Sequence, residues 1–140
     1  MEDRRAPDLE EMDEREATRL LTELASALSP EGEYRIRHPE DYVMEMPQSG
    51  ERIRGRDNVR AFQEAYTDHS DPPTIRISRV LVREGLWVVE STVDYGGGRV
   101  MHGAAIVELK DGKMWRDTRY FAEPFEAPEW RARWVERIDP

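Results

Sequence analysis

Apolar residues recur along the chain in two periods, and the change from one to the other divides it. Met12, Leu20, Leu21, Leu24 and Leu28 fall at near-helical spacing with charges between them, so Leu9 to Leu28 is predicted to be an amphipathic helix. Ser29-Pro30-Glu31-Gly32 ends it. Tyr42 to Met46 alternates as a short strand. Val59, Phe62 and Tyr66 then mark one face of a second helix, which starts near Gly55 to Asp57 and stops at Ser70-Asp71-Pro72-Pro73. Beyond the proline pair the period becomes two. Thr74 to Val82, Leu86 to Tyr95, Arg99 to Leu109 and Lys113 to Phe121 read as strands, joined by Arg83-Glu84-Gly85, Gly96-Gly97-Gly98 and Lys110-Asp111-Gly112. Links this short make an antiparallel meander. At the end, Pro128 suits a first helical position, and Trp130, Trp134 and Ile138 follow at one-face spacing, predicting a C-terminal helix over 128–138 packed on the body.

Helices first and strands afterwards indicate an α+β domain with helices on one face of a curved sheet. The 140 residues suit a single domain over 1–140, with residues 1–8 expected to be flexible. Net charge is -9, with the acidic excess gathered in the opening MEDRRAPDLEEMDERE, and no Lys/Arg run offers a footprint for phosphates. No nucleic-acid partner is therefore expected. The absence of a long apolar run argues against a membrane span, so a cytoplasmic location is expected. The chain has no cysteine, which excludes disulfides, thiolate catalysis and sulfur-ligated metals. His38, His69 and His102 lack ligand spacing, so neither metal nor cofactor is expected. Gly96-Gly97-Gly98 precedes a strand rather than a helix, which makes it a hairpin turn and not a phosphate cradle. No G-x-S-x-G elbow offers a serine nucleophile.

Three segments, DYVMEMPQSGERIRGRDNVRAFQEAY, LWVVESTVDYGGG and VELKDGKMWRDTRYFAEPFEAPEWRARWVERI, occur in an order that resembles the SnoaL-like, nuclear-transport-factor-2-like superfamily. The resemblance implies a cone-shaped sheet wrapped around helices, a cystatin-like roll enclosing an apolar pocket, often in a homodimer packed through the sheet. It does not fix a reaction, because members include ketosteroid isomerases, polyketide cyclases, epoxide hydrolases and pure binding or assembly proteins. The isomerase relatives keep a general-base Asp just before the proline that follows the first short strand. Here that position is Met46, whose thioether cannot take a proton from carbon. Their oxyanion-hole Tyr and Asp are missing from Leu9 to Leu28 and from Arg99 to Leu109 as well. Of the epoxide-hydrolase triad only Asp117-Thr118-Arg119 has a counterpart. The cyclase relatives fit better, since they use a His and an Asp on the last two strands, where His102 and Asp117 lie.

The resemblance thus implies a small, largely apolar organic ligand and, if there is catalysis, cofactor-free isomerisation or aldol-type cyclisation. Asp117 would move the proton, Arg119 would orient or polarise, and His102 would be a second acid/base. Met44, Met46, Phe62, Tyr66, Val89, Ser91, Val93, Ala104, Ile106 and Phe121 are the candidate pocket lining. Glu45 and Glu90, on the alternate face, are expected to meet arginines such as Arg54 or Arg116. The rival reading is a non-catalytic binding or assembly module in which Asp117 and Arg119 form a structural pair. Turn type decides who shares a face. A two-residue turn at Asp111-Gly112 pairs Ile106 with Asp117, Ala104 with Arg119 and His102 with Phe121. A three-residue turn with a glycine bulge shifts the pairing by one and turns His102 away.

Overall fold

The computed structural model describes residues 7–27, 30–69 and 71–138. It contains α1 (Glu14–Ala27), α2 (Pro30–Arg35), β1 (Val43–Met46), β2 (Glu51–Arg54), α3 (Arg56–His69), β3 (Thr74–Arg83), β4 (Leu86–Asp94), β5 (Val100–Lys110) and β6 (Lys113–Ala122). The strands make one curved, unclosed six-stranded sheet in the order β2-β1-β6-β5-β4-β3. All neighbours are antiparallel except β1 and β6, which run parallel. The helices cover the concave face, with α1 along β3, and Ala17 and Val59 join Trp87, Val107 and Met44 in one buried cluster. The α+β expectation therefore holds, and no described helix is long and apolar enough to cross a membrane.

The first helix starts later than the apolar spacing suggests. Asp13 and Glu16 form a capping box, the Asp13 carboxylate accepting from the Glu16 N–H (2.8 Å) and the Glu16 carboxylate from the Asp13 N–H (3.2 Å). Leu9 precedes it in a 3₁₀ turn, fully buried, and its N–H donates to the carbonyl of Gly112 (2.9 Å). In the stretch expected to be flexible, Asp8 accepts from the Glu10 N–H (3.0 Å). Residues 1–6, Leu28, Ser29 and Ser70 lie outside the described residues.

Two short elements carried no period long enough to read. Pro30, taken above as a helix stop, is the first residue of α2, with Glu31 and Glu33 in its first turn and Arg35 in its last. The Pro47–Gly50 loop turns β1 back into β2, with Gly50 at φ +74°. The tail differs more. Instead of a helix over 128–138 packed on the body, residues Glu129–Trp134 form a 3₁₀ segment, and Trp130, Trp134 and Ile138 expose 74%, 69% and 95% of their surface. One-face spacing alone could not hold a short helix that has no surface to bury.

Two bulges set which side chains face inward. Asp111 (φ +53°) and Gly112 (φ +75°) make the two-residue turn between β5 and β6, so Lys110 pairs with Lys113 and Leu109 with Met114. Glu108 then pairs with Arg116, which leaves Trp115 as one extra residue on β6 and moves all later pairs by one. A second shift in register, between Ile77 and Arg79 on β3, keeps Ile75, Ile77, Val80 and Val82 on the concave side.

Candidate functional site

The register arranges the concave face in rows. One row runs Ile53, Met44, Asp117, Val107, Trp87, Val82 from β2 to β3. The next holds Arg119, Ala105, Val89 and Val80, and a third Phe121, Gly103, Ser91 and Ile77. The Gln48 side-chain amide both accepts from the N–H and donates to the carbonyl of Phe121, extending the edge of β6 beyond the end of β1. Gly103 gives Ser91 and Phe121 room, since a Cβ there would stand 2.6 Å from Ser91 Oγ.

The Trp115 bulge sends His102, Ala104 and Ile106 to the convex face. Ala105 and Val107 are the residues beside Arg119 and Asp117, and His102 pairs with Ala122 rather than Phe121. All three are exposed. The expectation that they join the pocket is corrected for a specific reason: the turn has two residues, as in the first alternative, but the bulge imposes the pairing of the second. Glu45 and Glu90 share that outer side, where Glu45 pairs with Arg52 (2.8 Å) and Arg116 (3.0 Å) and Glu90 with Arg79. Among the described residues Arg54 is not one of their partners, and the two arginines hold the Glu45 carboxyl below its ordinary pKa.

Asp117 and Arg119 stand on one face of β6 but in different surroundings. Asp117 is 1% exposed, and its Oδ2 accepts from the Tyr42 hydroxyl at 2.7 Å and from Arg119 Nη2 at 3.0 Å. Arg119 Nε spans both Asp117 oxygens, at 3.2 and 3.3 Å. The Arg119 side chain keeps 30% of its surface exposed, and its Nη1 has no partner among the described residues. Burial raises the Tyr42 phenol pKa far above its ordinary value, and the adjacent Asp117 charge adds to that. Burial alone would lower the pKa of Arg119, but Asp117 and Tyr42 outweigh it, so the guanidinium stays charged.

A second polar chain approaches from the helices. The Arg37 guanidinium, 2% exposed, sits 5.3 Å from the centre of the Tyr42 ring, and its Nη1 donates to Gln63 Oε1 at 3.3 Å. Gln63 Nε2 donates in turn to Glu33 on α2 at 3.1 Å. Sequence reading missed all four of these residues. Tyr42 shares the alternation of Met44 and Met46, and Gln63 lies one helical turn from Val59 and Tyr66, so two had a readable signal. Arg37 and Glu33 belong to no periodic run.

The remaining predicted lining residues divide by depth. Met44, Val89 and Val93 are buried at 2%, 8% and 5% exposure and belong to the core of the face. Met46, Ser91, Tyr66 and Phe121 are partly open, and Phe62 is exposed. Tyr66 approaches Tyr95, whose phenol pKa is raised by burial and then by Tyr66. Two surface depressions lie elsewhere, one between α1 and β3 and one in the tail beyond β6. Among the described residues no group of three or more His, Asp or Glu is placed to hold a metal ion.

With this geometry in place, comparison with known proteins gives three results. Residues 38–117 match the profile of the SnoaL-like domain. No curated protein matches the chain. Among solved structures, an NTF-2-like protein from Burkholderia xenovorans LB400 is 34% identical, with 89% of this chain and 94% of that chain covered and a TM-score of 0.78. A candidate ketosteroid isomerase from Kribbella flavida is 26% identical over 89% of each chain, with a TM-score of 0.73. An LEH-like epoxide hydrolase from M. tuberculosis shares the fold at 17% identity and a TM-score of 0.59, covering 77% of this chain and 84% of that one.

Proposed function

The chain belongs to the SnoaL-like domain family, and on that premise we propose that the open end of its concave face binds a small, largely apolar organic molecule. Arg119 is the polar anchor, Met46, Ser91 and Phe121 share its side of the sheet, and Phe62 and Tyr66 of α3 are the proposed cover. The observation that carries this reading is the contrast between two neighbours on β6. Asp117 is sealed by Tyr42 and Arg119, whereas Arg119 keeps one guanidinium nitrogen free and part of its surface open. A free Nη1 in a partly dry setting is a strong donor for a carbonyl or hydroxyl oxygen.

Asp117 is then a positioning residue. It is 1% exposed and pinned by Tyr42 and Arg119, so it presents no open face for a ligand to reach. The neighbours of Asp117 and Arg119 on β5 are Val107 and Ala105, so the rest of an epoxide-hydrolase-like triad is missing and hydrolysis of that kind is not proposed. What fits the arrangement is retention and orientation of a ligand, with no cofactor required.

The test uses benzamide as a probe, followed by NMR titration of the full chain. Arg119→Lys keeps the charge near Asp117 but loses the planar fork, so binding should weaken about tenfold while the fold persists. Unchanged affinity in this variant would sink the reading. For the assembly, a homodimer through the convex face is supported by Ile106 and Tyr120, each 42% exposed there. Sedimentation as a monomer at micromolar concentration would contradict it.

A further inference from the structure

We propose that the groove between α1 and the bulge of β3 is an anion site that takes a phosphoryl dianion, such as the phosphate monoester of a small molecule. It lies apart from the concave-face site, and neither reading depends on the other.

The groove holds about 470 Å³ and is lined by Glu14, Arg15, Thr18 and Arg19 of α1 and by Ser78, Arg79 and Val80 of β3. Three arginines from two elements thus meet at one edge of a chain whose net charge is -9. No basic run marks the place in the sequence, because residues far apart along the chain supply the charge.

Several of these groups are already committed. Arg79 pairs with Glu90. Glu14 Oε2 accepts from the Val82 N–H at 3.0 Å and stands 3.6 Å from Arg83 Nη1. Thr18 Oγ1 gives its proton to the Glu14 carbonyl at 2.7 Å. What remains is Arg15 and Arg19, both exposed and without an ion pair among the described residues. Glu23, four residues beyond Arg19 on the same helix, would be an ordinary partner, yet the two are not paired. Like charges one turn apart destabilise a helix, and an anion between them reverses the sign of that interaction.

Ser78 completes the donor set. It is the extra residue where the β3 register shifts between Ile77 and Arg79, so it pairs with no residue of β4. It is exposed, and its hydroxyl has no hydrogen-bond partner among the described residues. Two planar guanidinium forks and a hydroxyl suit a tetrahedral, oxygen-rich anion better than a carboxylate with its two oxygens. The charge agrees as well, since two unpaired cations balance a phosphate monoester carrying about -1.5 to -2 near neutral pH.

The experiment follows the isotopically labelled full chain by residue-resolved NMR as sodium phosphate is added at neutral pH, with sodium chloride holding the ionic strength constant. Phosphate should shift the amides of Arg15, Arg19, Ser78 and Arg79 to saturation and leave Arg119 and Phe121 unmoved, whereas sodium acetate over the same range should not saturate them. Arg15→Gln together with Arg19→Gln should weaken phosphate binding about tenfold or more. Shifts that never saturate, that spread over the exposed arginines at large, that acetate reproduces, or that survive the double variant would overturn the proposal. Saturation of the same amides by a triglutamate peptide at lower concentration than phosphate would overturn it in favour of an acidic peptide. Should the double variant fail to fold, Ser78→Asp carries the test: it should abolish the shifts, and retained phosphate binding would overturn the site.

Discussion

The two ends of the concave face use the same strands for opposite purposes. At the inner end, Met44, Asp117, Val107 and Trp87 form a closed row in which the one charge is locked by a phenol and a guanidinium. At the outer end, Arg119, Phe121, Ser91 and Met46 are partly open, and the polar groups retain unused hydrogen-bonding capacity. A shift of two residues along β6 moves a side chain from one regime to the other. The difference teaches that an Asp and an Arg sharing a strand face need not be a catalytic pair. One holds, and the other is held ready.

The largest effect should come from breaking the closed end. Asp117→Ala removes the acceptor shared by Tyr42 and Arg119 and leaves a partly buried cation uncompensated, which costs about 3–5 kcal/mol in urea unfolding. Tyr42→Phe should be milder, about 1.5–3 kcal/mol, since it removes one hydrogen bond to a charged group.

Tyr42 also predicts a pH dependence of stability. Its pKa is raised on folding, first by burial and then by Asp117. Its contribution is therefore complete below the ordinary phenol range and is lost as pH rises past about 10. The stability difference between the unmodified chain and Tyr42→Phe should shrink between pH 9 and 11, at up to about 1.4 kcal/mol per unit above 10. A difference that stays constant or widens over that interval would mean that the phenol is not sealed.

The open end should yield smaller effects on stability. Gly103→Ala places a methyl 2.6 Å from Ser91 Oγ, but that atom ends a rotatable side chain. The cost should be under about 1.5 kcal/mol, and Ser91→Ala in the same chain should recover most of it. Phe62→Ala, at a residue 46% exposed, should change stability by about 0.5 kcal/mol or less while weakening benzamide binding. A stability loss at Phe62 as large as that of Asp117→Ala would erase the distinction between the two ends.

Legibility in the sequence followed the length of the pattern. The meander and α3 are long and could be read directly, whereas the sequence admits both a two-residue and a three-residue turn over Lys110 to Gly112, and the structure takes the two-residue one. α2 and β2 span six and four residues, too few to establish a period. The placement of His102 failed on a single residue: the Trp115 bulge has no compositional mark, yet it flips the β6 side chains beyond it and so sets Asp117 and Arg119 on the face opposite His102. The tail failed for another reason, because helical spacing of Trp130, Trp134 and Ile138 says nothing about whether a surface exists to receive them. At the site, the Asp117 and Arg119 spacing was legible, but Tyr42, which decides their roles, comes from 75 residues earlier in the chain.

The most direct test of the account is a residue-resolved NMR map of where benzamide binds the unmodified chain. The account predicts shifts at Arg119, Met46, Tyr66, Ser91 and Phe121, with His102, Ala104 and Ile106 unmoved. A map centred on His102, Ala104 and Ile106, with Arg119 unchanged, would contradict it.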